Sequence, residues 1–244
     1  MTKRYFLIVL TYIVMQTGFM FVVARSLSHF FDIADGSVLL GLTAVISFSI
    51  GLLVMLLLLR KDSARGGDLP GEKSTIGSTI GWSALGVVIV FVAQMTAGLI
   101  ETYIFGIEPG SKNTAELVSY ARDFWAMILV IAVLGPIIEE IVFRKAIFGW
   151  LYVRTNFFIA ALASSLVFAV VHMDFEHMLL YTTMGFTFAF LYTHTKRLIV
   201  PIIAHVSLNS FVILTQVIFY DQIVEYLERH GQTIPLIFPF LLGV

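Results

Sequence analysis

The sequence predicts an all-α, polytopic transmembrane helical bundle of seven to eight spans, and three observations predict it. Of 244 residues, 59% are hydrophobic and only 13% are charged, against about 25% charged in soluble globular chains. Mean hydropathy is +0.94. The apolar residues form long continuous runs rather than alternating ones, which suits spanning helices and not a β-barrel. This composition excludes a soluble globular or a disordered chain. A net charge of −1 gives no basic field for nucleic acid. The absence of cysteine removes disulfides, thiolate metal sites and a cysteine nucleophile.

The runs are taken in order. After Met1-Thr2-Lys3-Arg4, residues 5–24 are apolar and long enough to span. No small-residue cleavage site follows at Arg25-Ser26-Leu27, so this is a retained first helix rather than a signal peptide. Further runs at 38–59, 80–107, 124–143, 156–172, 178–192 and 198–220 supply six more spans. The tail 234–244 is an eighth short span or a segment lying at the interface. The polar, glycine-containing stretch 60–78 reads as a flexible connection. The stretch 108–123 reads as a connection holding a short surface helix.

Charge sets the orientation. With a cytoplasmic N-terminus, Lys3, Arg4, Arg60, Lys61, Arg65, Lys73, Arg144, Lys145, Arg154, Lys196 and Arg197 fall inside, and only Arg25, Lys112, Arg122 and Arg229 fall outside. This obeys the positive-inside bias of a multi-pass cell-membrane protein. Trp82, Trp125 and Trp150 lie near span ends, as interface anchors do.

Ionisable groups inside a span cost at least ~2.5–3.5 kcal/mol each, so they mark function or tight pairing. Glu139 and Glu140 sit inside 124–143. Glu140 and Arg144 are i,i+4 and can form a structural ion pair. Glu139 points about 100° away, with no partner of its own. Pro136 one turn earlier should kink the helix or free a carbonyl. His172 follows Phe168 by four residues, and Asn209 follows His205 by four. If helices four and five turn near Thr155, Glu139 and His172 lie level, about 24–26 Å from that turn. The polar residues Asp174, Glu176 and His177 read as solvated loop positions, His194 and His230 as interfacial, and His29 as an outer-loop residue.

A carboxylate and two imidazoles suit hydrolysis. Desolvation raises the carboxyl toward the range of a general base, and His and Asn can donate to a developing oxyanion. The same Glu139, His172 and His205 can instead hold a divalent metal such as zinc with one position open for water, and the residues leave both routes open. Neither a His-Glu-x-x-His helix nor a Gly-x-Ser-x-Gly elbow is present. A non-catalytic peptide-binding or immunity protein and a proton-coupled transporter are the competing readings, the latter lacking any inverted repeat.

Taken together, Glu139-Glu140-x-x-x-Arg144, Phe168-x-x-x-His172 and His205-x-x-x-Asn209 resemble the motifs of the CPBP family, the CAAX proteases and bacteriocin-processing membrane proteases also called Abi. The resemblance covers roughly 121–220. It divides a single membrane domain, 1–244, into accessory spans 1–120 and a catalytic core 121–220. It implies an intramembrane endopeptidase acting on a hydrophobic or membrane-anchored peptide or protein. Glu139 would activate water, His172, His205 and Asn209 would complete the site, and Glu140, Arg144 and Phe168 would support it. The resemblance carries both a metal-dependent and a metal-free mechanism. It also carries a link to bacteriocin immunity.

Overall fold

A chain this apolar has little water to serve its backbone, so its N–H and C=O groups must be satisfied within helices. The computed structural model describes residues 3–33, 35–63 and 69–229, and among these all regular structure is helical. Helix α1 is Lys3–Phe31, with a π turn at Met15–Phe19. Helix α2 is Gly36–Ser63, begun by Asp35, whose carboxylate accepts from the Ser37 amide at 2.8 Å. Helix α3 is Ile76–Phe105, capped by Thr75 and ended by Gly106 at φ 69°, a left-handed position that favours glycine. Helix α4, Lys112–Asp123, is the expected short surface helix, capped by Ser111. Helix α5 runs over 127–152 as alternating α and π turns. Helices α6, Phe157–Val171, and α7, Met178–Thr195, form a hairpin. Helix α8 is Ile199–Ile218 and α9 is Tyr220–Arg229.

Four of these, α1, α2, α3 and α8, are long and apolar enough to cross a membrane. Helix α6 has 15 residues, about 22 Å, and α7 has 18. The tail 234–244 and His230 lie outside the described residues.

Three boundaries differ from expectation, each for a physical reason. Helix α1 continues past residue 24 to Phe31. Helix α5 does not stop at Phe143. Arg144 and Lys145 are buried, at 0% and 6% exposure, so they belong to the helix and not to an inner loop. The second half of the stretch expected to be flexible is docked. Ser74 N donates to Thr195 O at 3.0 Å and Arg197 Nε donates to Ser74 O at 2.7 Å. Leu69 packs with Phe148 and Tyr192.

The main core joins α1, α2, α3, α5, α6, α7 and α8. The α6–α7 approach is close enough that a Cβ on Gly185 would meet the Ser165 Cβ at 2.8 Å. Small residues there let the two backbones draw together.

Candidate functional site

Glu139, Phe168, His172, His205 and Asn209 all line one cavity of about 420 Å³. The fold therefore gathers the residues that sequence spacing singles out on α5, α6 and α8. Tyr12, Gln16 and Glu101 from the first three helices line it as well.

At the floor of the cavity lies an ion-pair cluster. Glu140 and Arg144 are both fully buried, and Glu140 Oε2 stands 3.1 Å from Arg144 Nε. That approach is an ion-pair contact rather than an aligned hydrogen bond, since neither atom has a hydrogen-bond partner among the described residues. The guanidinium η nitrogens also lack such partners. The Arg144 charge is held instead over the faces of Phe168, at 4.7 Å, and Phe188, at 5.3 Å, a cation–π arrangement suited to a dry interior. The Phe168 ring also reaches the His172 ring, at 4.5 Å.

Glu140 does more than pair with Arg144. Its Oε1 lies 2.9 Å from His205 Nδ1, and the His205 ring stacks on Phe188 at 4.6 Å. An ionised carboxylate can only accept, so the proton sits on Nδ1. His205 Nε2 then faces Glu139 Oε2 at 3.6 Å, beyond hydrogen-bond range. The Glu139 side chain keeps 20% of its surface. The acid expected to be unpartnered therefore looks across a gap at an imidazole whose other nitrogen is already fixed.

His172 sits at the C-terminal end of α6, and its Nδ1 is 2.7 Å from Phe168 O. A carbonyl only accepts, so Nδ1 carries the proton and Nε2 keeps its lone pair. The ring stacks on Tyr181 at 4.2 Å and 26°. Tyr181 is tied to the α4 cap, with 2.7 Å between its hydroxyl and Ser111 Oγ.

Asn209 answers a defect created by Pro136. In the π turn Val130–Leu134 the ladder runs i to i−5, as Gly135 N donating to Val130 O shows. The next donor in that ladder would be the Pro136 nitrogen, which has no hydrogen. The carbonyl so orphaned is Ile131 O, and Asn209 Nδ2 donates to it at 3.1 Å. One amide hydrogen of Asn209 is thereby committed and the other is free to act in the cavity.

The donor set does not fit a bound metal as it stands. Among the described residues, no three His, Asp or Glu side chains are grouped closely enough to hold an ion.

A second cluster was not anticipated. Glu101, near the C-terminal end of the apolar run 80–107, is 1% exposed. Its Oε2 is 2.8 Å from His177 Nδ1 and its Oε1 accepts from Leu180 N at 2.9 Å. His177 Nε2 donates to Gly110 O at 2.9 Å. His177 and Asp174 are each only 4% exposed, which corrects their reading as solvated loop residues. The connection between α6 and α7 folds inward because Glu101 gives it a buried acceptor. Glu176 alone is exposed, paired with Lys112 at 3.0 Å. Glu101 hydrogen-bonding raises the pKa of His177 above the ordinary imidazole value, outweighing burial. The available signal was an isolated carboxylate inside an apolar run.

Comparison with known proteins gives the family. Residues 121–211 match the model of the family described as type II CAAX prenyl endopeptidase Rce1-like. The chain is 44% identical over 247 residues to YdiL of Bacillus subtilis (strain 168), named as a membrane peptidase, covering 97% of this chain and 98% of that protein. It is 41% identical over 145 residues to the membrane-embedded CAAX protease MroQ of Staphylococcus aureus (strain USA300), covering 57% of this chain and 59% of that one. A third relative, the UPF0177 protein YxdF of Lactococcus lactis subsp. lactis (strain IL1403), is 36% identical over 83 residues, covering 34% of this chain and 45% of that one. No solved structure gives a significant match.

Proposed function

Because the chain belongs to the Rce1-like family and is a membrane-embedded protease, we propose that it cuts a membrane-associated peptide with water activated by Glu139. The observation that carries this reading is a partly open carboxylate that faces an imidazole across 3.6 Å inside a cavity.

The steps follow from the groups that line the cavity. Glu139 takes a proton from water as the oxygen attacks the scissile carbonyl carbon. His172, with Nε2 bare, accepts a hydrogen bond from the water's second O–H and orients it, an acceptor's role rather than the donor role expected from sequence. The carbonyl electron pair moves to oxygen, and the free amide hydrogen of Asn209 donates to that oxyanion. His205, its Nδ1–H held by Glu140, turns its bare Nε2 toward Glu139 and serves as acceptor to that carboxyl once it holds the water's proton. The proton held on Glu139 passes to the leaving nitrogen as the C–N bond breaks, giving a carboxylic acid and an amine.

The test is cleavage of quenched-fluorescent, membrane-anchored peptides by purified protein in liposomes. Wild type is expected to cut and Glu139→Ala to fold without cutting. Cleavage retained in Glu139→Ala removes Glu139 from the chemistry.

A further inference from the structure

The geometry points to a catalytic cavity that opens on the extracytoplasmic side of the membrane. We infer that the substrates are exported peptides or outer-leaflet segments of membrane proteins. The substrate half of this inference rests on the protease reading above; the side of the mouth does not.

The two ends of the bundle differ in basic charge. One end gathers the 69–75 connection, the α5–α6 turn and the α7–α8 turn, as the contacts between Ser74, Thr195 and Arg197 show. Lys196 Nζ lies over the Tyr152 ring there, at 5.3 Å. That end carries Lys73, Arg154, Lys196 and Arg197 in its connections, with Lys3, Arg4 and Arg60 at helix ends. The opposite end has Arg25, Lys112, Arg122 and Arg229 among acids such as Asp32, Asp35, Glu108 and Glu116. Lys and Arg within short connections set orientation, so the first end is cytoplasmic.

The cavity belongs to the second end. Gly110, Ser111, Thr114 and Leu117 from the α3–α4 connection and α4 line it, with His177 from the α6–α7 connection. Among the described residues none of 140–167 or 189–204 lines it. Between it and the basic end stands a closed floor: Phe143, Phe148, Leu191 and Tyr192 are 1%, 0%, 0% and 2% exposed. A peptide arriving from the basic side would have to pass through packed aromatic core, whereas one arriving from the other side meets the cavity directly.

The cysteine-free chain makes the test direct. Single variants Thr102→Cys in the cavity wall, Glu116→Cys on exposed α4 and Thr155→Cys in the α5–α6 turn are treated with a membrane-impermeant maleimide on intact cells. The 102 and 116 variants are expected to label in intact cells, and the 155 variant only after permeabilisation. The reverse pattern overturns the inference. So does a residue-102 cysteine that stays unlabelled in intact cells while that at 116 reacts. In the same cells, protein termini that depend on Glu139 are compared between wild type and Glu139→Ala. Cut sites in extracytoplasmic or outer-leaflet segments support the substrate assignment, and cytoplasmic sites overturn it. If no terminus depends on Glu139 while labelling follows the expected pattern, the protease reading falls and the outward mouth stands.

Discussion

Among the carboxylate–imidazole pairs of the described residues, Glu101–His177 and Glu139–His205 are built to opposite specifications. In Glu101–His177 every side-chain polar atom has a partner: Glu101 accepts from Leu180 N and meets His177, and His177 donates to Gly110 O. In Glu139–His205 the facing atoms stand 3.6 Å apart and the carboxylate keeps 20% of its surface. The first pair ties α3 to two connections and has no valence left over. The second leaves an acceptor pointed into a cavity. In the proposed mechanism the same two residue types serve structure where their hydrogen bonds are complete and chemistry where one is withheld.

Conservative substitutions should break this comparison cleanly. Glu139→Gln is expected to lower the cleavage rate by ~10²–10⁴-fold, the usual range for losing a general base, with an unchanged melting temperature in detergent. Glu101→Gln should do the reverse. Its amide still accepts from Leu180 N and donates to Nδ1 of a neutral His177, so a charge-assisted hydrogen bond becomes a neutral one at a cost of about 1 kcal/mol, while folded molecules keep their turnover. Equal losses of turnover per folded molecule in both variants would erase the distinction. The larger stability effect belongs to Arg144→Ala, which strips Glu140 of its charge partner. Breaking a buried pair typically costs about 3–5 kcal/mol, so the yield of folded protein should drop sharply; a normal thermal transition would contradict it.

A finer test concerns Asn209. Asn209→Ala leaves Ile131 O without a donor, at a cost of about 1–3 kcal/mol. Pro136→Ala restores the backbone N–H that the π ladder lacks there. The stability loss from Asn209→Ala should therefore shrink in the Pro136→Ala background, whereas the loss of turnover should persist if the second amide hydrogen serves the oxyanion. A double-mutant cycle showing no coupling would separate Pro136 from Asn209.

The sequence made much of the site legible because the membrane simplifies the reading. A charge inside an apolar run is expensive, so Glu139, Glu140 and Arg144 stood out, and the i,i+4 spacings placed Phe168 with His172 and His205 with Asn209. Pro136 announced a freed carbonyl. What spacing could not show was partnership across helices. That His205 is clamped by Glu140 depends on the α5–α8 packing, and that Asn209 repairs Ile131 depends on a π register that no local pattern reveals. The sequence pattern ends helix α5 at Phe143, because Arg144 and Lys145 look like a loop boundary until their burial is known. Glu101 carried the same signal as Glu139, and its partner His177 was hidden in a connection whose polar residues resemble a solvated turn.

The smallest expected effect is one of pH, and it falls on the closed pair. His177 Nε2 donates to the Gly110 carbonyl, so a proton is required there, and its Nδ1 donates to the Glu101 carboxylate. Both contacts are complete only in the imidazolium form. The Glu101 hydrogen bond, aided by the charge of Asp174, therefore raises the His177 pKa above its usual value. A raised folded-state pKa means that the pair's contribution is fully present below the unfolded imidazole pKa, ~6.5, and is lost as pH rises through the folded one. Thermal stability in detergent should thus decline as pH rises above the ordinary imidazole range, and His177→Gln should flatten that decline while lowering stability at acid pH. A slope that survives His177→Gln would place the titrating group elsewhere.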